Sequence, residues 1–292
     1  MQIINKLYRY KEVYIFFILK VLFIIFFSTS FLYANTFKVS DIEVSSPFEL
    51  NFNKNKVIDD GFKASFYNLV SMITTSGDRD KIKDISLKEL KGLIDSFTIS
   101  QERFVNDEYS AKLEVTFNKK NTFDFLEKKN IFPSIPIKNK ILLIPILVDL
   151  ETESIYLFDK NNFYTKWNKN KKNYHLLEYL LPSEDLEDLR IIQKNYTNIE
   201  DYDFLDLVKK YDLEDYVIVI IFKDKSELKV HSKIDFKNSF RIDNQLFKKI
   251  DIDNEKSFQI ILDELKKIYE DYWKKNNEIN TSIKLPLTIS LN

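Results

Sequence analysis

Beyond its first 34 residues, this chain has two runs that are apolar at every position. Ile141 to Val148 reads ILLIPILV and Tyr216 to Phe222 reads YVIVIIF. A strand with one wet face alternates, whereas a strand without alternation needs cover on both faces. Two such strands demand a sheet with helices above and below it, so this part of the chain is α/β. Pro145 interrupts the first run, and a proline there predicts a bulge or an edge position.

The segments around these strands supply the covering helices. Asn161 can cap a helix carrying Phe163 and Trp167. Leu176 to Leu181 is a short strand that Pro182 ends, and helices follow at about 184–193 and 200–211. Leu228 to Ile234 pairs back on the second apolar strand. The helix at 254–276 has the clearest stripe in the chain, with Phe258, Ile261, Leu262, Leu265, Ile268, Tyr269 and Tyr272 on one face. Glu270 and Lys274 add an i,i+4 pair of the favourable order. Ile283 to Leu291 reads as a last strand. Crossovers of this length favour a mixed sheet with a parallel centre.

The first third has a different texture. Residues 37–44 alternate as a half-buried strand that Pro47 ends. A helix over about 56–75 aligns Ile58, Phe62, Phe66, Leu69, Val70 and Ile73. Ser86 caps a second helix. Residues 96–105 and 109–118 form a hairpin turned at Asn106-Asp107-Glu108, and a short helix spans 121–129. Phe132 to Pro136 is the linker, because its prolines oppose both helix and ladder. The predicted fold is α+β/α/β in two small units. Residues 35–131 form a helix-plus-hairpin unit and residues 137–292 a mixed-sheet unit.

Residues 1–34 read as a signal peptide or N-terminal anchor. Lys6, Arg9 and Lys11 precede a long apolar stretch, and Ser28-Thr29-Ser30 and Ala34 close it. That order is basic, apolar, then small and polar. Without cleavage, Tyr14 to Tyr33 is long enough to span a bilayer. The expected location is the periplasm, or the inner membrane if the segment is retained. This segment would then be the protein's membrane contact.

Composition removes most familiar chemistry. The chain of 292 residues has no cysteine, two histidines and three scattered glycines, so thiol, three-histidine zinc and glycine-loop phosphate sites are excluded. Lys6, Arg9, Lys11 and Lys20 against Glu12 are confined to the first 34 residues. The remainder carries 40 basic and 44 acidic side chains, so a nucleic-acid footprint is not expected. No cofactor is implied.

Five segments, taken in order, resemble a proteobacterial family of exported proteins catalogued as a domain of unknown function. They are the helix around Gly61-Phe62-Lys63-Ala64, the hairpin from Val105 to Phe117, and the apolar strand Ile141 to Ile146 with its internal proline. Asn161-Asn162-Phe163 with Trp167, and the proline-plus-acidic run Leu181 to Asp188, complete the set. Asn162 and Phe163 depart from the family's Asn-Pro-Trp…Trp segment, and most of its helix alanines are replaced. The resemblance implies an exported α/β protein and no established activity.

The candidate site is the acidic run Glu184, Asp185, Glu187 and Asp188, with Trp167. Such carboxylates can bind calcium or do acid–base work. The competing reading is structural: Ser183 caps the helix and acids in its first turn favour the dipole. Asp201, Asp203 and Asp206 read as a solvated helix face. His175 and His231 read as surface or half-buried rather than as the base of a triad. Trp167 with Phe163, and Trp273 with Tyr269, read as core pairs rather than an exposed ridge. The function expected is a non-catalytic binding or adaptor protein acting on an envelope protein. The alternatives are an envelope hydrolase or metal-binding enzyme built on the acidic run, and a membrane-tethered structural protein.

Overall fold

The computed structural model describes residues 37–237 and 239–279. The leader at 1–34 and the last strand at 283–291 lie outside the described residues. The described chain is α+β, with two sheets and eight α-helices.

The first sheet has strands β1 (Lys38–Pro47), β2 (Ile94–Val105) and β3 (Glu108–Phe117), ordered β1-β3-β2 and antiparallel throughout. Asn106 and Asp107 both have positive φ, the geometry of a two-residue hairpin turn, so Glu108 begins the strand rather than closing the turn. Helix α1 (Lys54–Ile73) lays Phe62, Phe66, Leu69 and Val70 on this sheet against Leu113, Val115 and Phe117. Gly61 sits at the closest approach. A Cβ there would come within 2.9 Å of Val44 and 3.1 Å of Leu113. Short α2 (Ser76–Arg79) follows α1, and α3 (Leu87–Leu93) and α4 (Lys119–Lys128) close the cluster. Ser86 starts α3 through a capping box with Glu89.

The second sheet has strands β4 (Asn139–Asp149), β5 (Ser154–Tyr156), β6 (Leu177–Leu180), β7 (Tyr216–Asp224), β8 (Glu227–Phe236) and β9 (Ser239–Lys248). Its order is β5-β4-β7-β8-β9, with β6 also on β4. The centre is parallel, since both β6 and β7 run parallel to β4. Side chains of β4 and β7 split by parity. Ile141, Leu143, Val217, Val219 and Ile221 face α8 (Glu255–Asn276) and α5 (Asn162–Lys166). Leu142, Ile144, Ile146, Ile218 and Ile220 face α6 (Leu186–Lys194) and α7 (Leu205–Lys209). Cover on both faces is why neither run alternates.

Pro145 corrects the sequence expectation. It lies in the central strand, paired with Val219 in a β4–β7 register without a shift. Leu142 and Leu150 direct their N–H groups to β7, so odd positions face the other side. There, β6 pairs only with residues 139–142 and β5 only with 147–149. Pro145 therefore falls in the gap between two short strands, where no ladder donor is needed. Its carbonyl accepts from Asn161 Nδ2 at 3.0 Å. The same Asn161 caps α5.

The predicted helix over 200–211 is shorter than expected. Asp203 accepts from the Leu205 N–H at 2.9 Å, a local side-chain bond that starts α7 at Leu205. Strand β9 has no counterpart in the sequence reading.

The two sheets meet through polar bonds around α8. Lys274 Nζ donates to the Ser71 carbonyl at 2.6 Å, near the C-terminal end of α1, where a cation suits the helix dipole. The Ser76 N–H and hydroxyl both donate to Asp271. In the Phe132–Pro136 stretch, the Ser134 N–H donates to the Ile73 carbonyl at 2.7 Å and the Pro133 carbonyl accepts from Ile279.

Candidate functional site

The acidic run does not converge. Asp185, not Ser183, caps α6, accepting from the N–H groups of Glu187 at 2.7 Å and Asp188 at 3.4 Å. Those bonds hold its carboxyl below the usual carboxylate range. The reason is position: the helix begins at Leu186, which leaves Ser183 too far upstream to reach N2 or N3. Asp188 is buried and takes the Lys210 ammonium at 2.5 Å, which raises the lysine above its ordinary value. Glu184 and Glu187 are exposed. The run thus divides into a cap, an ion pair and two solvated carboxylates.

Replacing Glu184 and Asp188 together by alanine is expected to lower stability by about 1 kcal/mol, because Lys210 is half-exposed and recovers water. Millimolar calcium or manganese should leave the melting temperature of wild type and variant unchanged. A divalent rise in the wild type that the variant loses would establish an ion site.

Trp167 is fully buried and remote from the acidic run. Its ring stacks on Tyr269 at 6.1 Å and meets Tyr179 edge-on at 5.5 Å. Trp273 is also core, edge-on to Phe236 at 5.8 Å. Among the described residues, no group of three or more His, Cys, Asp or Glu is arranged to hold a metal ion.

The ionisable groups that the fold does bring together are on α8. Lys266, Glu270 and Lys274 are spaced four apart and all are buried. Each follows a core residue, Leu265, Tyr269 and Trp273, so the three lie on one flank of the apolar stripe. That spacing was visible in the sequence, but it reads equally as a surface ladder. The tertiary fold decides, because residues 167–177 lie over this flank. Lys266 Nζ donates to the carbonyls of Trp167 at 2.6 Å and Asn170 at 3.1 Å. Glu270 Oε1 accepts from the N–H groups of Leu176 and Leu177, both at 2.8 Å. Its Oε2 lies 3.7 Å from Lys274 Nζ and has no hydrogen-bond partner among the described residues. Burial pushes the Glu270 carboxyl up and the Lys274 ammonium down, each toward its neutral form.

A cleft of about 330 Å³ opens beside this flank, lined by Arg79, Lys172, Tyr174, His175, Glu270 and Lys274. His175 and His231 are both buried, where the sequence reading places them at the surface or half-buried. His231 Nδ1 lies 2.8 Å from Asn244 Oδ1, on β9. Burial, with Lys266, Lys172 and Lys274 nearby, depresses the His175 imidazole to about 4 against an opposing pull from Asp263.

The unfolded ring takes a proton near pH 6.5 and the folded ring near pH 4. The unfolded chain binds more protons between those values, so this contribution is complete above 6.5 and lost as pH falls through about 4. The full shift is worth about 3 kcal/mol, and water in the cleft reduces it to about 2 kcal/mol. His175→Gln cannot titrate. The stability difference between wild type and this variant should therefore shrink by that amount from pH 7 to pH 4 in urea unfolding. A constant difference would place the imidazole in free solvent.

The geometry defines a two-sheet α+β protein with one polar cleft beside α8. No family model matches the chain, and no curated protein matches it. Among the described residues no helix is long and apolar enough to cross a membrane.

Proposed function

We propose that this chain is an exported, non-catalytic binding protein of the cell envelope. Export rests on the basic–apolar–small order of residues 6–34. The resemblance to an exported family points the same way. The observation that carries the non-catalytic reading is the division of the acidic run. A carboxylate enzyme needs those groups converging on one reacting atom, and here they serve a helix cap, an ion pair and solvent. The test is purification of the tagged full chain from fractionated cells, with mass spectrometry of its N-terminus and of what co-elutes. An N-terminus near residue 35 and a stoichiometric envelope partner support the reading. Recovery in the cytosol without a partner overturns it.

A second reading has one observation in its favour. Among the described residues, Glu270 Oε2 is buried without a hydrogen-bond partner at the wall of a cleft that also holds a neutral imidazole. A carboxyl and an imidazole so placed could serve a small polar ligand as acceptor and base. A screen of small polar metabolites by thermal shift would favour it only if Glu270→Gln and His175→Gln both remove the response.

A further inference from the structure

Five strands of the described chain lie at sheet edges, and four of them carry devices that blunt an edge. Strand β1 has a register break at Val39/Ile42, positive φ at Asp41 and Pro47 at its end. Strand β2 has two breaks, with positive φ at Gln101. Its outward aromatics are occupied: Phe97 rests on Phe62 at 4.9 Å and Phe104 on Tyr109 at 5.0 Å. Strands β5 and β6 are three and four residues long. Strand β9 has no bulge and no proline and is not short, and its charges are Arg241, Asp243 and Lys248. It pairs with β8 over ten positions without a break. Phe240, Ile242 and Leu246 stand on one face at 56%, 48% and 54% exposure, with no ring contact among the described residues.

Only residues 237 and 238 separate the Phe236–Ser239 pair, so Ser239 directs its backbone groups to β8. Backbone direction alternates along a strand. Among the described residues, the even positions 240–248 therefore present unpaired N–H and C=O groups outward, and the same residues carry the exposed apolar stripe.

We infer that β9 pairs antiparallel with β9 of a second copy of this chain, across a two-fold axis at Asn244, joining the two mixed sheets into one. The side chains of β9 are self-complementary in that register. Ile242 falls opposite the second copy's Leu246, and Leu246 opposite its Ile242. Asp243 meets Gln245, and Phe240 lies against the stem of Lys248. No like charges stand opposite one another. Centring the axis on Asp243 would set two carboxylates face to face, a destabilising pair. Centring it on Ile242 would carry Leu246 beyond the ladder to the hairpin turn, and centring it on Gln245 would oppose Ile242 to Lys248.

The absence of cysteine makes the register testable. Two Asn244 Cα atoms across the axis would stand about 5.5 Å apart as a hydrogen-bonded pair. That lies within the span of a disulfide. Two Ile242 Cα atoms would be about 14 Å apart, since Ile242 is offset by four residues from its partner position on a strand about 5 Å away. The full chain with Asn244→Cys should therefore form a dimer band on a non-reducing gel after mild oxidation. Ile242→Cys should not, and adding Leu246→Lys to Asn244→Cys should abolish the band. Cross-linking at 244 no faster than at 242 would overturn the proposal. So would a band that appears only after residues 280–292 are deleted, because the chain's own C-terminal segment would then hold the edge. Matching thermal melts of the variants keep misfolding out of the comparison.

Discussion

Glu270→Ala is expected to cost about 3–5 kcal/mol of folding stability, because it breaks a buried ion pair from one side. The change strands the Lys274 ammonium in a site where burial already disfavours its charge. It also removes the acceptor of the Leu176 and Leu177 N–H groups, which open β6. Glu270→Gln separates the two causes. A glutamine oxygen still accepts both strand N–H groups, so its loss should be clearly smaller than that of alanine. Lys274→Met supplies the pH test. Without the ammonium, the Glu270 carboxyl rises further above its unfolded value. A raised folded value stabilises below the unfolded one and is lost as pH rises through the folded one. Stability of this variant should therefore improve on acidification from neutral pH relative to the wild type. Urea unfolding measures all three. A loss under 1 kcal/mol for Glu270→Ala would mean that the flank of α8 is wet.

Trp167→Ala should cost a similar amount, about 3–5 kcal/mol, as expected for emptying a large aromatic site in a core. The indole is enclosed by Tyr269, Tyr179 and the Lys266 stem, and the Trp167 carbonyl receives the Lys266 ammonium. Its Nε1 is buried without an acceptor among the described residues. Trp167→Phe should therefore cost far less than alanine, because the smaller ring gives up contacts but also relieves an unsatisfied donor. Denaturant unfolding with tyrosine and far-ultraviolet probes, which survive loss of the indole, reads both variants. If alanine at this position changed binding of a partner while leaving stability intact, Trp167 would be a surface ridge and not core.

Legibility in the sequence followed burial pattern. The runs Ile141 to Val148 and Tyr216 to Phe222 announced a twice-covered sheet because every residue had to be apolar. Helix α8 was legible for the converse reason, since one stripe carries its whole contact with the sheet. Strand β9 was not. Its apolar residues Phe240, Ile242 and Leu246 alternate but face solvent, while the positions turned to the protein are mostly polar, Ser239, Arg241, Asp243 and Gln245, so SFRIDNQLFK does not mark which face is covered. The acidic run was legible as a helix start but not to the residue, because Ser183 and Asp185 are both good caps and only backbone geometry chooses between them.

The sequence by itself determined where the core strands and long helices lie, because periodicity and continuous apolarity are local consequences of burial. It also excluded thiol, glycine-loop and three-histidine chemistry by count alone. The tertiary structure decided everything that depends on which surfaces meet. Pro145 is tolerated in a central strand because two short neighbours leave a gap beside it. The i,i+4 pair Glu270–Lys274 could have been a solvated ladder, and became a buried network because residues 167–177 and the end of α1 close over that flank of α8. Spacing along one helix fixes which side chains share a face. Whether that face meets water or protein is settled by segments far away in the chain, and with it the charge state of every group on the face.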